Sequence, residues 1–366
     1  MTTNHGMRDL GAPSASAARQ NARNELELGA PSDALGAPRA RPDELALRAH
    51  LITATLLVVA VATGLLVGHG DLSPVFLELR AGRIACAGLA GAALSVAGVL
   101  MQGLFRNPLA SPSVLGTTSG AALGGQAVLL AHGLVAATLP AWLVPEMALP
   151  LGCLLGAGCS LMILLLIARR VLASGGDALV AVLLTGFLLT SALAAVSSLL
   201  TWLGQERWEL GRALIAFTLG GVDGKGLRHV LLATPLVVIG IAAAWAWGRT
   251  LDLLLAGEDE AASLGVDVVS ARRWILAWTA ALSAAAVAVG GGVAFVGLVV
   301  PHALRPFTGV EHRRLIPAAA LGGAAFLILC DALCRLTPGA ELPLGILTAL
   351  IGAPVFVVLL LRWRLG

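Results

Sequence analysis

The sequence predicts an all-α, polytopic membrane protein of about ten transmembrane helices, one of them short or broken. Three observations carry this. Hydrophobic residues make up 58% of the 366-residue chain and charged residues 12%, whereas a soluble domain needs roughly 25% charged residues to cover its surface. The apolar residues fall in continuous runs of about 20, the length an α-helix needs to cross a hydrocarbon core about 30 Å thick. Aromatic residues are only 4%, with no Tyr, which excludes the alternating, aromatic-girdled strands of an outer-membrane barrel. Five Cys are too few for a secreted disulfide scaffold of this length.

Residues 1–48 form a separate zone, rich in Ala, Pro, Asn and Arg. Leu-Gly-Ala-Pro occurs there at Leu10, Leu28 and Leu35. Such a Pro/Gly-rich composition cannot bury a core, so a disordered, low-complexity tail is expected. The first apolar run starts near His50, later than a signal peptide allows. The transmembrane domain is therefore placed at 49–366.

Apolar spans are expected near 50–68, 83–105, 114–133, 148–168, 178–203, 229–248, 273–291, 293–304, 314–335 and 344–362. The eighth lies between Gly290-Gly291-Gly292 and Pro301 and is short for a full crossing. It is expected to be broken or re-entrant and packed inside protein, where irregular backbone is tolerated.

This spacing places both termini on one side. Of the 24 Lys and Arg, only Arg80, Arg83, Arg207, Arg212, Lys225, Arg228 and Arg335 fall on the opposite side. The positive-inside rule then sets N- and C-termini in the cytoplasm. Without clustered basic residues and interleaved aromatics, no nucleic-acid partner is expected.

Gly88, Gly91 and Gly98, with Ala92 and Ser95, give the second span a small-residue face suited to close helix packing. Gly290-Gly291-Gly292 lacks the strand–turn–helix context of a dinucleotide fingerprint. The sequence contains no HExxH, P-loop or CxxC, so neither a catalytic nor a metal site is expected. Cys86, Cys153, Cys159, Cys330 and Cys334 read as small core residues. His302 and His312 flank a turn and read as structural. Asp331 is the one acid placed well inside a span, with Arg335 as its i,i+4 partner. A proton relay would need more buried titratable groups, which weighs against an ion-coupled secondary transporter; a membrane-embedded enzyme would need a catalytic cluster.

The informative stretches are the polar breaks. Gln102 to Pro112 carries Asn107 and two Pro at a helix end, a rigid turn. Gly257 to Val268 reads as a short amphipathic helix stopped by Gly. Its charges and small apolar ridge suit either docking to a soluble partner or a solvated connector.

Four segments in this order resemble the FecCD-type permease subunits of type II ABC importers for iron–siderophore complexes, haem and vitamin B12. They are Gln102–Gly120, Gly257–Val268, Phe295–His302 and Glu341–Pro354, and the resemblance covers roughly residues 50–366. Gly82, Gly292, Ala294 and the segment Phe217–Gly221 depart from the family pattern, so the substrate stays open among siderophore, corrinoid and haem.

The resemblance implies ten helices per subunit and a homodimer working with two ATP-binding subunits and a periplasmic substrate-binding protein in the bacterial inner membrane. No cofactor is expected on this chain, with ATP and Mg²⁺ on the ATPase. Carried over by position, Arg80, Arg83 and Arg335 would dock the binding protein, and Asn107, Leu109 and Ser174 would form a cytoplasmic gate. Gly257, Glu258, Ala261, Leu264, Gly265 and Val266 would belong to the helix that couples to the ATPase.

Overall fold

Backbone amides in a lipid core have no water to bond, so the apolar runs close their hydrogen bonds within themselves as helices. The computed structural model describes residues 42–68, 73–135, 145–173, 178–337 and 340–365. Its helices are α1 (Pro42–Leu66), α2 (Pro74–Leu104), α3 (Thr117–Val135), α4 (Pro145–Ala173), α5 (Ala178–Gly204) and α6 (Trp208–Leu219). They continue as α7 (Leu227–Ala256), α8 (Glu258–Ser263), α9 (Val268–Gly290), α10 (Val296–Thr308), α11 (His312–Cys334) and α12 (Leu344–Leu365). A 3₁₀ turn at Pro112–Leu115 precedes α3, and no strand occurs among the described residues.

Each predicted span falls on a helix. The first begins at Pro42, inside the stretch read as tail; residues 1–41 lie outside the described residues. Seven helices among the described residues, α1, α2, α4, α5, α7, α9 and α11, are long and apolar enough to cross a membrane.

The buried centre is built by α2, α9 and α11, with Leu100, Ile275, Leu282, Leu315 and Leu327 almost wholly enclosed. By contrast, α1, α5 and α7 expose large apolar side chains such as Leu51, Phe187, Trp202 and Leu231. In water such a surface would aggregate, whereas in a bilayer lipid is the matching solvent.

Small residues set how closely the central helices approach. A Cβ on Gly91 would strike the Gly323 carbonyl, and one on Gly98 the Gly297 carbonyl. Gly120 and Gly124 of α3 interlock with Gly156 and Gly152 of α4 in the same way. Apolar burial gives no advantage over lipid, so this backbone proximity supplies the packing attraction.

The expected break lies between α9 and α10. α10 is only 13 residues long, and Gly291 (φ 64°) and Phe295 (φ 63°) adopt left-handed backbone before it. The freed backbone groups are satisfied by two other interruptions. Gly221 N–H donates to Gly290 O at 2.9 Å, Gly292 N–H to Phe217 O at 3.0 Å, and Leu344 N–H to Gly220 O at 3.0 Å. Three non-helical segments therefore pair with one another inside the protein.

Candidate functional site

Polar side chains concentrate at the two ends of the bundle. At one end α1 finishes beside the starts of α2, α7 and α12 and the end of α11. Arg83 of α2 donates from Nε and Nη2 to Asp331 Oδ1 at 2.9 and 2.8 Å. It also reaches Glu341 at 2.7 Å and Asp223 at 3.4 Å. Asp331 is 1% exposed, Arg83 13% and Asp223 84%, so this cation links a buried acid to the surface.

Arg80 and Arg335, grouped with Arg83 by sequence, have a different environment. Arg80 donates to Leu65 O at 2.8 Å and Gly68 O at 3.4 Å. Arg335 donates to Gly64 O at 2.9 Å and Val67 O at 2.6 Å. Gly64 and Leu65 belong to the last turn of α1, and Val67 and Gly68 follow it directly; a helix cannot satisfy its last carbonyls itself, and they attract positive charge. Both arginines are buried and cap α1. The expected i,i+4 pair exists, Arg335 Nε to Asp331 Oδ2 at 3.3 Å, but the shorter contacts of Asp331 are to Arg83. A cavity of about 280 Å³ opens here, lined by Arg80, Arg83, Asp223, Lys225, Arg335 and Glu341 among others.

At the opposite end α2 terminates in a tight turn. Asn107 N–H bonds Gln102 O at 3.1 Å and Arg106 N–H bonds Gly103 O at 3.3 Å, the paired pattern that closes a helix around a left-handed residue. That residue is Arg106 (φ 49°), where glycine is the usual occupant. Asn107 Oδ1 then accepts from Leu109 N–H at 2.9 Å, which fixes the next turn. Asn107 and Leu109 are half-buried, and Ser174 lies outside the described residues.

α7 passes into α8 through Gly257 alone. α8 turns its buried Ala261 inward and exposes Glu258, Asp259 and Glu260, with Leu264 66% exposed. Its three acids sit in the first turn, where the helix dipole favours them. Gly265 (φ 87°) ends it, with Gly265 N–H to Ala262 O at 2.9 Å and Val266 N–H to Ala261 O at 3.0 Å. Asp267 then caps α9 by accepting from Ser270 N–H at 3.0 Å. Arg272 pairs with Glu258 and ties α8 to α9. The result is a short exposed helix on a rigid base.

Between the ends, an open apolar groove of about 580 Å³ is lined by Thr218, Leu219, Gly292, Gly345, Ile346 and Leu350 among others. It follows the paired chain breaks.

Sequence reasoning missed Glu341 and Asp223 as partners of Arg83, Gln102 as acceptor for Arg305 Nη2 at 3.1 Å, and Asp252 as partner of His312 at 2.6 Å. Asp252, a lone acid in the apolar run Leu251–Ala256, carried a usable signal: an acid there needs a partner.

The chain matches the FecCD transport family over residues 46–362. The Fe(3+) dicitrate transport system permease protein FecD of Escherichia coli is 40% identical over 297 residues, 79% of this chain and 86% of the relative. The cobalamin import system permease protein BtuC of Halobacterium salinarum is 38% identical, covering 83% and 78%. The hemin transport system permease protein HmuU of Yersinia pestis is 38% identical, covering 79% and 84%. A solved inward-facing metal-chelate type ABC transporter superposes with TM-score 0.75 at 29% identity, over 87% of this chain and 99% of the other.

Proposed function

The chain belongs to the FecCD transport family, and on that premise we propose that it is the membrane-spanning subunit of an ATP-driven importer for an iron chelate or a corrinoid. The family match across nearly all the apolar part of the chain is the observation that carries this reading. The relatives named for ferric dicitrate and cobalamin support the substrate class, and haem is the third candidate.

In this reading ten helices cross the bacterial inner membrane: the seven long apolar ones together with α3, α10 and α12. Both termini are cytoplasmic, and two copies form one pathway. The Arg83 end faces outward and meets a periplasmic binding protein through Arg80, Arg83 and Arg335. Arg83 is the member of that set that reaches the surface; Arg80 and Arg335 support it by holding α1. The α8 end faces the cytoplasm. There Glu258–Val266 fits a cleft on each of two ATP-binding subunits, which carry ATP and Mg²⁺, while this chain binds no cofactor. Asn107, Leu109 and Ser174 form the cytoplasmic gate. Alternating access follows when nucleotide-driven movement of the ATPases displaces α8.

The test is reconstitution with the ATP-binding subunit and binding protein in liposomes. Labelled ferric dicitrate, a ferric hydroxamate siderophore, cobalamin and haem are offered separately. ATP-dependent uptake of one of the first three is expected, and haem uptake alone selects the haem importer. Uptake driven by an imposed ion gradient with no ATPase would overturn the reading in favour of a secondary transporter.

A further inference from the structure

We propose that Asp252 and His312 are the positioning pair that carries movement of α8 to the turn at the end of α2; this rests on the importer reading above. Asp252 lies one turn before the end of α7, which joins α8 through the single residue Gly257. Its neighbours Leu251 and Leu254 are buried, as is Ala261 of α8, so this end of α7 and α8 share one packed base. Displacing α8 displaces Asp252.

Asp252 Oδ1 receives two hydrogen bonds from one residue of another helix, His312 N–H at 2.9 Å and His312 Nδ1 at 2.6 Å. A carboxylate only accepts, so Nδ1 carries the proton. The α11 N-cap residue Glu311 makes no side-chain cap of its own. The carboxylate of α7 substitutes for it, with the charge sign a helix N-terminus favours. A second contact holds the same two elements in register: the Arg313 guanidinium lies 4.6 Å from the centre of the Trp245 ring.

The far edge of the imidazole completes the connection. His312 is fully enclosed, and its Nε2 has no hydrogen-bond partner among the described residues. A Cβ on Gly103 would stand 2.5 Å from that Nε2, so the ring edge lies directly against the α2 backbone. Gly103 and Gln102 supply the carbonyls that hold the left-handed Arg106 turn. The Gln102 side chain also ties α10, donating to Gly297 O at 3.3 Å and accepting from Arg305. A push on Gly103 therefore acts on a turn that holds Arg106 in left-handed backbone at a cost, and transmission by this route requires that the turn switch to a second arrangement.

The experiment uses the full chain assembled with its ATP-binding subunit in nanodiscs, in a Cys159→Ala background, because Cys159 is exposed rather than in the core, whereas Cys86, Cys153, Cys330 and Cys334 are buried. A Ser113→Cys reporter on the exposed turn after α2 is reacted with a membrane-impermeant maleimide, with and without ATP and vanadate. ATP hydrolysis and co-elution of the subunits are measured on the same samples. His312→Asn keeps a donor for Asp252 but is too short to reach Gly103. It is expected to retain assembly and hydrolysis and to lose most of the nucleotide-dependent change in labelling. Asp252→Ala should lose that change too, and Asp252→Asn, which keeps the accepting oxygen, should restore it. A purely structural pair would lower assembly and hydrolysis together and leave the response of the assembled fraction intact; that result overturns the proposal. So does an undiminished response in His312→Asn. A parent chain that neither co-elutes with the ATPase nor responds to nucleotide defeats the importer reading, and this proposal with it.

Discussion

Arg83 on α2 and Asp331 on α11, 248 residues apart in sequence, meet through two donors on one carboxylate oxygen at 2.9 and 2.8 Å. The acid is almost fully enclosed, so its charge depends on this cation and on Arg335. Removing one member of a buried pair leaves the other uncompensated and costs about 3–5 kcal/mol. Asp331→Asn keeps the shape, and Arg83 retains Glu341. A loss near the lower end, about 3 kcal/mol, is expected as a fall in the thermal midpoint in detergent. ATP-driven uptake by the remaining folded protein should not change when proton and sodium gradients are collapsed. A switch in ion dependence without loss of stability would make Asp331 a coupling-ion site.

Arg83 also reaches the half-exposed Glu341, and this predicts opposite signs for two charge-removing substitutions. Arg83→Gln removes the cation that reaches the surface and should weaken association with the binding protein. Glu341→Gln removes a competing internal acid and should tighten it. Surface pairs contribute little each, about 0–1 kcal/mol, so the shifts are several-fold and should shrink as salt is raised. Titration calorimetry at two salt concentrations checks both. If the two variants move affinity in the same direction, Arg83 is not the contact.

Arg80 and Arg335 should behave as stability residues first. Arg80→Glu places a negative charge beside the carbonyl end of α1, where the helix dipole is also negative. A loss of about 1–2 kcal/mol is expected in thermal unfolding without any binding protein present. An unchanged midpoint would return Arg80 to a docking role alone.

The glycines of α2 are not equivalent. At Gly98 a Cβ meets the Gly297 backbone, which cannot yield, whereas at Gly88 the nearest atom is the flexible end of Ile328 at 3.4 Å. Alanine in a helix is favoured over glycine by about 1 kcal/mol. Gly88→Ala should therefore be neutral or stabilising. Gly98→Ala should cost about 3 kcal/mol or more through overpacking. Yield and melting midpoint of the two variants in detergent decide this, and equal behaviour would contradict the packing described for α2.

What the sequence made legible follows from the range of each interaction. Hydrophobic length is local, so the seven long apolar helices were readable, and so was the break at Gly290-Gly291-Gly292. The stop at Gly265 was local as well, because it depends on one backbone angle. Partner choice was not readable in this way. In one dimension Asp331 pairs with Arg335, four residues away, because only spacings of three or four bring side chains together on a helix; Arg83 enters only once α2 crosses α11. Arg80, Arg83 and Arg335 looked alike as end-of-span cations, and only the position of the α1 terminus separates the cappers from the one that reaches the surface. Asp252 and His312 were likewise hidden by their separation of 60 positions in sequence.

Gly265 gives the sharpest test of the α8 surface. Its φ of 87° is the left-handed conformation that closes α8, and a side chain in that region costs about 1–2 kcal/mol. Apart from its chain neighbours, no atom of the described residues lies within 4 Å of a Cβ built there, so the cost is conformational and the side chain would project into open space. Alanine tests the backbone alone: Gly265→Ala should lower stability by about 1 kcal/mol and keep most ATP-driven uptake. Gly265→Trp carries nearly the same backbone cost but adds bulk on the face proposed to enter the ATPase. It should insert and fold like the alanine variant yet fail to pull down the ATP-binding subunit, or stimulate no uptake when mixed with it. Pull-down and proteoliposome uptake on the two variants separate backbone from surface. If the tryptophan variant binds the ATPase and transports as well as the alanine variant, the partner does not sit against Gly265, and α8 is a solvated connector.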